Sequence, residues 1–387
     1  MRLRGWVGRA LLPAIVLLTA ATRASAPIRA AGPAIALDWP KFRHDVANSG
    51  SNPYERRLDP SNVSQLKLKW VGIAGVAFIA SPTVADGVVY AGSGGYFWAL
   101  AADTGSRIWL LPRSLNYSSP AVAEGVVYVG SVYGAVYALD AATGSILWIF
   151  RTGDRIMSSP AVVNGVVYVN SDDHNVYALD ASTGAKLWSF PTGGQFGPSS
   201  PAVAGGVVYV GSADHNVYAL DASTGTELWR FPTGGAVYSS PAVVKGVLYV
   251  GSWDRNLYAL DASTGSKLWS FPTGDAITSS PAVAKGVVYI GSYDGEVYAL
   301  DATTGTKRWS YTTGDGISSS PAVANGVVYI ASEDGTLFAL DAATGSKLWS
   351  YFTGRNLLSS PAVVQGVVYV ASYSHGDPVG GVYAFSR

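Results

Sequence analysis

The 387-residue chain contains no cysteine, which excludes a disulfide framework and a lipid anchor on an N-terminal cysteine. Charge is scarce: 13% of residues are charged against 48% apolar, as expected where sheets are covered on both faces. Basic and acidic side chains balance at 26 each, which leaves no basic footprint for a nucleic acid. No Ser/His/Asp arrangement, paired carboxylates or histidine cluster stands out. Long apolar runs are also scarce. Ala10–Ala21, behind Arg2, Arg4 and Arg9 and ahead of Ala24-Ser25-Ala26, reads as a secretory signal peptide, residues 1–31. Pro27 disfavours cutting after Ala26, so cleavage is placed between Ala24 and Ala36. The alternative is an uncleaved anchor, for which the run is short. Loss of residues 1–31 removes five arginines and no acid, leaving a net charge of −5. The reading is extracytoplasmic, with stability drawn from packing alone and no stable membrane insertion once the signal is cut.

What the chain has in abundance is repetition. Pro82, Pro120, Pro160, Pro201, Pro241, Pro281, Pro321 and Pro361 follow one another at steps of 38, 40, 41, 40, 40, 40 and 40 residues. A period near forty marks a repeat architecture. Each copy holds two β-branched and aromatic runs, such as Val207–Val210 and Val217–Leu220, flanked by a strand through Ser-Ser-Pro-Ala-Val and one through Leu-Trp-Arg-Phe. That makes four antiparallel strands, A to D. The A–B turn ends in glycine, as at Asn164-Gly165 and Lys245-Gly246, because tight hairpins need positive φ. Four-stranded sheets with two apolar faces stack radially, so the expected fold is an all-β, eight-bladed β-propeller. Strand D carries Trp109, Trp148, Trp188, Trp229, Trp269, Trp309 and Trp349. The last repeat ends at Arg387 without a strand D, and Leu66–Trp70 is the expected donor that closes the ring. The domain reading is a polar leader over 32–65, draped on the rim, and a propeller over 66–387.

Ala178-Leu-Asp180-Ala-Ser-Thr183-Gly184-Ala-Lys-Leu-Trp188 recurs from Ala138, Ala219, Ala259, Ala299 and Ala339. Asp180 is placed to accept backbone N–H groups in an Asx turn, and Gly184 to take the left-handed position. The motif is similar to the tryptophan-docking motif of the quinoprotein (PQQ-repeat) propellers, which include quinoprotein alcohol dehydrogenases and the BamB component of outer-membrane barrel assembly. Asp38-Trp39-Pro40 and Leu66–Trp70 also resemble the start of the dehydrogenase propellers. In that family the motif is structural and does not bind the quinone; Trp70 and the seven other tryptophans are read accordingly. One copy departs, with Ala101 where aspartate is expected. The resemblance implies a cofactor, pyrroloquinoline quinone with calcium, held by a vicinal cysteine pair and acidic and amide side chains on inserted loops. This chain has neither cysteines nor such loops, so no catalytic residue carries over and no cofactor is expected.

Asp173, Asp214, Asp254, Asp294 and Asp334 recur at one place in the B–C turns, a pattern of turn chemistry rather than calcium ligation. Variation between copies gathers in the B–C turns (Tyr133, His174, His215, Trp253, Arg255, Tyr293, Glu333, Tyr373) and the D–A connections (Arg155, Met157, Phe196, Tyr238, Ile277, Arg355, Leu357). Both sets emerge on one face. Aromatic and arginine side chains anchor protein contacts, while the bland alternative is solvated loop tips. His174, His215 and His375 share that rim, but adjacent blades are too widely spaced to share a metal. The resulting expectation is a monomeric, non-catalytic scaffold that holds a protein or polymer, or a ligand, on the loop face or in the channel. A quinone-dependent dehydrogenase and an envelope-assembly factor are the alternatives.

Overall fold

The computed structural model describes residues 38–73, 80–93, 95–115, 117–373 and 380–387; the proposed signal peptide and His375 lie outside them. The described residues form eight sheets, each built on four antiparallel strands in the order A-B-C-D, and the sheet of blade 7 gains a fifth, parallel strand, Ser51–Asn52, against its strand A. Blade 4 is typical: Ala202–Ala204, Val207–Gly211, Asn216–Asp221 and Glu227–Pro232. Strands B and C are buried along nearly their whole length, while strand D alternates between exposed and half-buried positions. Inner strands therefore form the core between blades, and strand D forms the outer wall. Each A–B turn places two residues at positive φ, such as Lys245 at 52° and Gly246 at 79°, the geometry that hairpin twist demands.

The ring closes as the sequence implies. Lys67–Ile73 pairs antiparallel with the C-terminal strand Gly381–Ser386 and supplies strand D of blade 8. Neighbouring blades are then fastened by a repeated contact. Trp229 Nε1 donates to the carbonyl of Ala262 in the next blade's C–D turn at 3.1 Å, and Tyr209 Oη donates to the same oxygen at 3.0 Å. Glycine is required beneath the indole, since a Cβ on Gly265 would sit 2.7 Å from the Trp229 ring. Trp70, Trp109, Trp148, Trp188, Trp269 and Trp309 donate to the equivalent alanine carbonyls, and Trp349 donates to Leu66. The turn below is held by its aspartate: Asp180 Oδ1 accepts N–H groups from Ser182 and Thr183 at 3.1 and 2.8 Å.

Only the second half of the leader drapes over the ring, where Leu58 O accepts from Asn325 Nδ2 and Glu55 from the Gly366 N–H in the A–B turns of blades 7 and 8; the first half lies inside it. Residues 39–52 run inside the ring of A strands and visit the blades in order. Trp39 exchanges backbone bonds with Val84 of blade 1, and Pro40 O accepts from Val122 of blade 2. Val46, Ala47, Ser49 and Gly50 then accept from Val203, Val243, Val283 and Val323 of blades 4 to 7. Asn52 Nδ2 finishes the circuit on Val363 O of blade 8 at 2.9 Å. The physical reason is that strand A ends each sheet with an unpaired edge facing the axis, and buried N–H groups need partners. Small residues, Ala47 to Asn52, fit that crowded axis. Buried Arg43 donates to the carbonyls of Pro281 and Pro321, and Asn48 to those of Pro201 and Pro241.

Candidate functional site

The serines ahead of each strand A divide two tasks. The first turns back into its own blade, as where Ser239 Oγ accepts the Gly251 N–H at 3.1 Å. The second crosses to the next blade. Ser81 N–H donates to Ser119 Oγ, Ser119 to Ser159, and so on through Ser200, Ser240, Ser280, Ser320 and Ser360 back to Ser81. All eight bonds measure 2.8–3.0 Å. This belt surrounds the channel on the face where B–C turns and D–A connections emerge. The leader fills the channel below it, so the belt encloses a cup of 240 Å³ with Phe42 in its lining. Tyr117, Met157, Tyr238, Tyr293, Leu358 and Glu333 share the lining with Pro198, Thr278 and Ser318. Among the described residues Glu333 is its one carboxylate. Burial pushes that carboxyl above its ordinary value, opposed by the Ser318 hydroxyl and assisted by the charge of Asp315.

The family model described as outer membrane protein assembly factor BamB matches residues 111–200, 193–313 and 257–386. The chain belongs to this family of PQQ-repeat β-propellers. No curated protein matches it. Among solved structures, BamB from Moraxella catarrhalis is similar at 22% identity and a TM-score of 0.71, over 83% of this chain and 98% of that one. Quinohemoprotein alcohol dehydrogenase from Comamonas testosteroni has 19% identity and a TM-score of 0.78, over 93% and 82%. The computationally designed Ika8 protein has 19% identity and a TM-score of 0.74, over 83% and 100%. At these identities the structural likeness speaks to fold alone. Among the described residues, no helix is long and apolar enough to cross a membrane.

Around the cup of this PQQ-repeat propeller, the variable residues separate into three groups. Trp253, Tyr293 and Tyr373 follow the serine that opens the B–C turn of blades 5, 6 and 8, the place Glu333 takes on blade 7. Their amides donate to D–A carbonyls: Trp253 to Ala236 at 2.9 Å, Tyr293 to Ala276 at 3.0 Å and Tyr373 to Asn356 at 2.8 Å. Tyr238 meets Trp253 edge to face, with ring centroids 5.2 Å apart. Aromatic residues thus occupy one arc of the mouth. The second group is at turn positions. His174, His215 and Arg255 have φ of 74°, 71° and 70°, the left-handed place that Gly134, Gly295 and Gly335 fill on blades 2, 6 and 7. Among the described residues no three His, Cys, Asp or Glu side chains gather in a metal-sized group. Tyr133 is 76% exposed on its turn. Arg155 is held by buried Asp172 at 2.6 Å, and Arg355 is half-buried in the connection between blades 7 and 8.

The third group corrects an expectation. Phe196, Ile277 and Leu357 are fully buried, as are Leu115, Ile156, Val237 and Ile317 at the same place in other connections. An apolar plug between blades recurs there, and the change of residue type conceals the repeat. The turn aspartates act within the scaffold: Asp214 Oδ2 accepts the Gly193 N–H at 2.8 Å and the Tyr218 hydroxyl at 2.6 Å. Asp173, Asp254 and Asp294 make the same pair of bonds, while Asp334 Oδ1 accepts the Thr336 N–H. Sequence reasoning missed Phe42, Tyr117 and the serine belt. The doubled serine ahead of every repeat proline except Pro82 was the available signal for the belt.

Proposed function

We propose that the protein is a non-catalytic, extracytoplasmic scaffold that holds a protein partner on the face bearing the cup. One observation carries this reading: the leader fills the channel on one side, while the other side keeps an open mouth edged by Tyr238, Trp253 and Tyr293. Aromatic side chains around a depression are the groups that supply binding energy at interfaces. Membership of a family described as outer membrane protein assembly factors supports a partner in cell-envelope assembly.

The dehydrogenase alternative needs a quinone and calcium. Calcium takes six to eight oxygen ligands, including carboxylates. Among the described residues, serine hydroxyls already engaged in the belt and a single carboxylate, Glu333, do not fit that demand. The reading therefore contains no quinone step. Titration of the mature protein with pyrroloquinoline quinone plus calcium tests it, since a ligand of the folded state raises the thermal midpoint. The expected result is an unchanged midpoint and no dye-linked alcohol oxidation. Saturable stabilisation with turnover would overturn the scaffold reading.

A further inference from the structure

Strand D is the outer, unpaired edge of every sheet, and such edges are usually blunted by charge or proline. Blades 3 to 7 follow that rule. Two residues before the tryptophan stand Lys186, Glu227, Lys267, Lys307 and Lys347; one residue after it stand Ser189, Arg230, Ser270, Ser310 and Ser350. Blades 3, 4 and 5 close the strand with Pro191, Pro232 and Pro272. Blade 8 departs with Leu68, Val71 and Ile73 at these places, and blade 2 breaks every part of the pattern. Its outer strand, Ile146–Arg151, has Ile146 in place of the charge, Ile149 in place of the polar residue and Arg151 in place of proline. Ile146, Leu147 and Ile149 are 39%, 53% and 42% exposed. The tryptophan is kept, so packing against blade 3 does not require the change.

We propose that the edge Ile146–Arg151 accepts an extended segment of a partner protein as a fifth strand. Main-chain hydrogen bonds would supply affinity, and alternate side chains would supply choice. Charge selects the occupant. The outer strands of blades 8, 1 and 2 carry Lys67, Lys69, Arg107 and Arg151 and no acid, and Lys186 stands on the next blade. A second copy of this chain would bring the same positive charge against itself. The segment that fits alternates apolar and acidic side chains. This surface is separate from the cup and goes beyond the loop-face reading.

The probe is a fluorescein-labelled peptide, Val-Glu-Val-Glu-Val-Glu, with Val-Lys-Val-Lys-Val-Lys as its counterpart. Fluorescence anisotropy follows binding, and amide exchange locates it. The acidic peptide is expected to bind and to protect the amides of residues 146–151, and the basic peptide to bind at least tenfold more weakly. The triple change Ile146→Lys, Ile149→Ser, Arg151→Pro gives blade 2 the outer strand of blades 3 and 5, so it keeps the fold by precedent. It should weaken the acidic peptide at least tenfold with an unchanged thermal midpoint, while Trp253→Ala leaves peptide binding intact. Equal binding by the triple variant overturns the proposal. So does a dimer in solution that the triple change dissolves, which would make the occupant a second copy. Vesicles of phosphatidylglycerol that bind the wild type and not the variant, with no peptide binding, would assign the edge to a lipid surface instead.

Discussion

The two faces of the ring are built from the same forty residues and serve differently. On the face of the A–B and C–D turns, the C–D copies are nearly interchangeable, while the A–B tip changes from Asp86 and Glu124 to Lys245 and Lys285. The tryptophan clasps, their tyrosine partners and the turn aspartates all converge there. On the opposite face the scaffold bonds are still present, from Asp214 to Gly193 for example, but the residues between them change from blade to blade. Where a side chain fastens one blade to the next, the repeat tolerates little change. Where it faces the mouth, it is free to differ, and that freedom is what a binding surface requires.

Damage to the fastened face should therefore cost the most. Trp229→Ala removes a large indole and its bond to Ala262, and should lower stability by about 3–5 kcal/mol in a denaturant titration. Arg43→Ala strips the buried carbonyls of Pro281 and Pro321 of a charged donor, and should cost about 3 kcal/mol. A sharper test lies at the closure seam. Among the described residues, buried Tyr329 of blade 7 has no partner for its hydroxyl, while the leader's Leu66 carbonyl accepts from Trp349. Tyr249 of blade 5 does have one, the Ala302 carbonyl at 3.0 Å. Tyr249→Phe should destabilise by about 1 kcal/mol, whereas Tyr329→Phe should be neutral or stabilising. A loss of equal size at both positions would break the distinction.

Acid should also loosen the fastened face. Hydroxyl and backbone hydrogen bonds from Ser182 and Thr183 hold the Asp180 carboxyl down at about 2, and Asp221 is held at about 2 in the same way. Arg308, with the turn amides, holds Asp301 at about 2. A carboxyl depressed in the folded state contributes stability that is present above the unfolded value near 3.8 and is lost as pH falls toward 2. The thermal midpoint should drop across that window, and less steeply in Asp180→Asn. On the open face, Trp253→Ala should move stability by less than about 0.5 kcal/mol. Its effect should appear in partner binding instead.

The repeat made most of the fold legible: the proline period gave the blade count, and the missing last strand pointed to Leu66–Trp70. The leader was harder to place because it occurs once and has no periodicity to read. Its small residues look like any loop until the inner edges of blades 4 to 8 are seen to converge on them. The cup was half legible. Tyr238, Trp253 and Tyr293 differ from their counterparts and so drew attention, whereas the belt serines are uniform and looked like filler. Phe196, Ile277 and Leu357 misled for the opposite reason, since one buried plug is built from several apolar residue types.

The most direct test places a photo-crosslinking residue at either end of blade 5, at Tyr238 beside the cup or at Lys245 in the opposite A–B turn. Expressed in the source organism, the first should capture a protein partner at a discrete mass, lost when Trp253→Ala is added, and the second should capture none. Capture from position 245 with none from 238 would contradict the account and move the working surface to the other face of the ring.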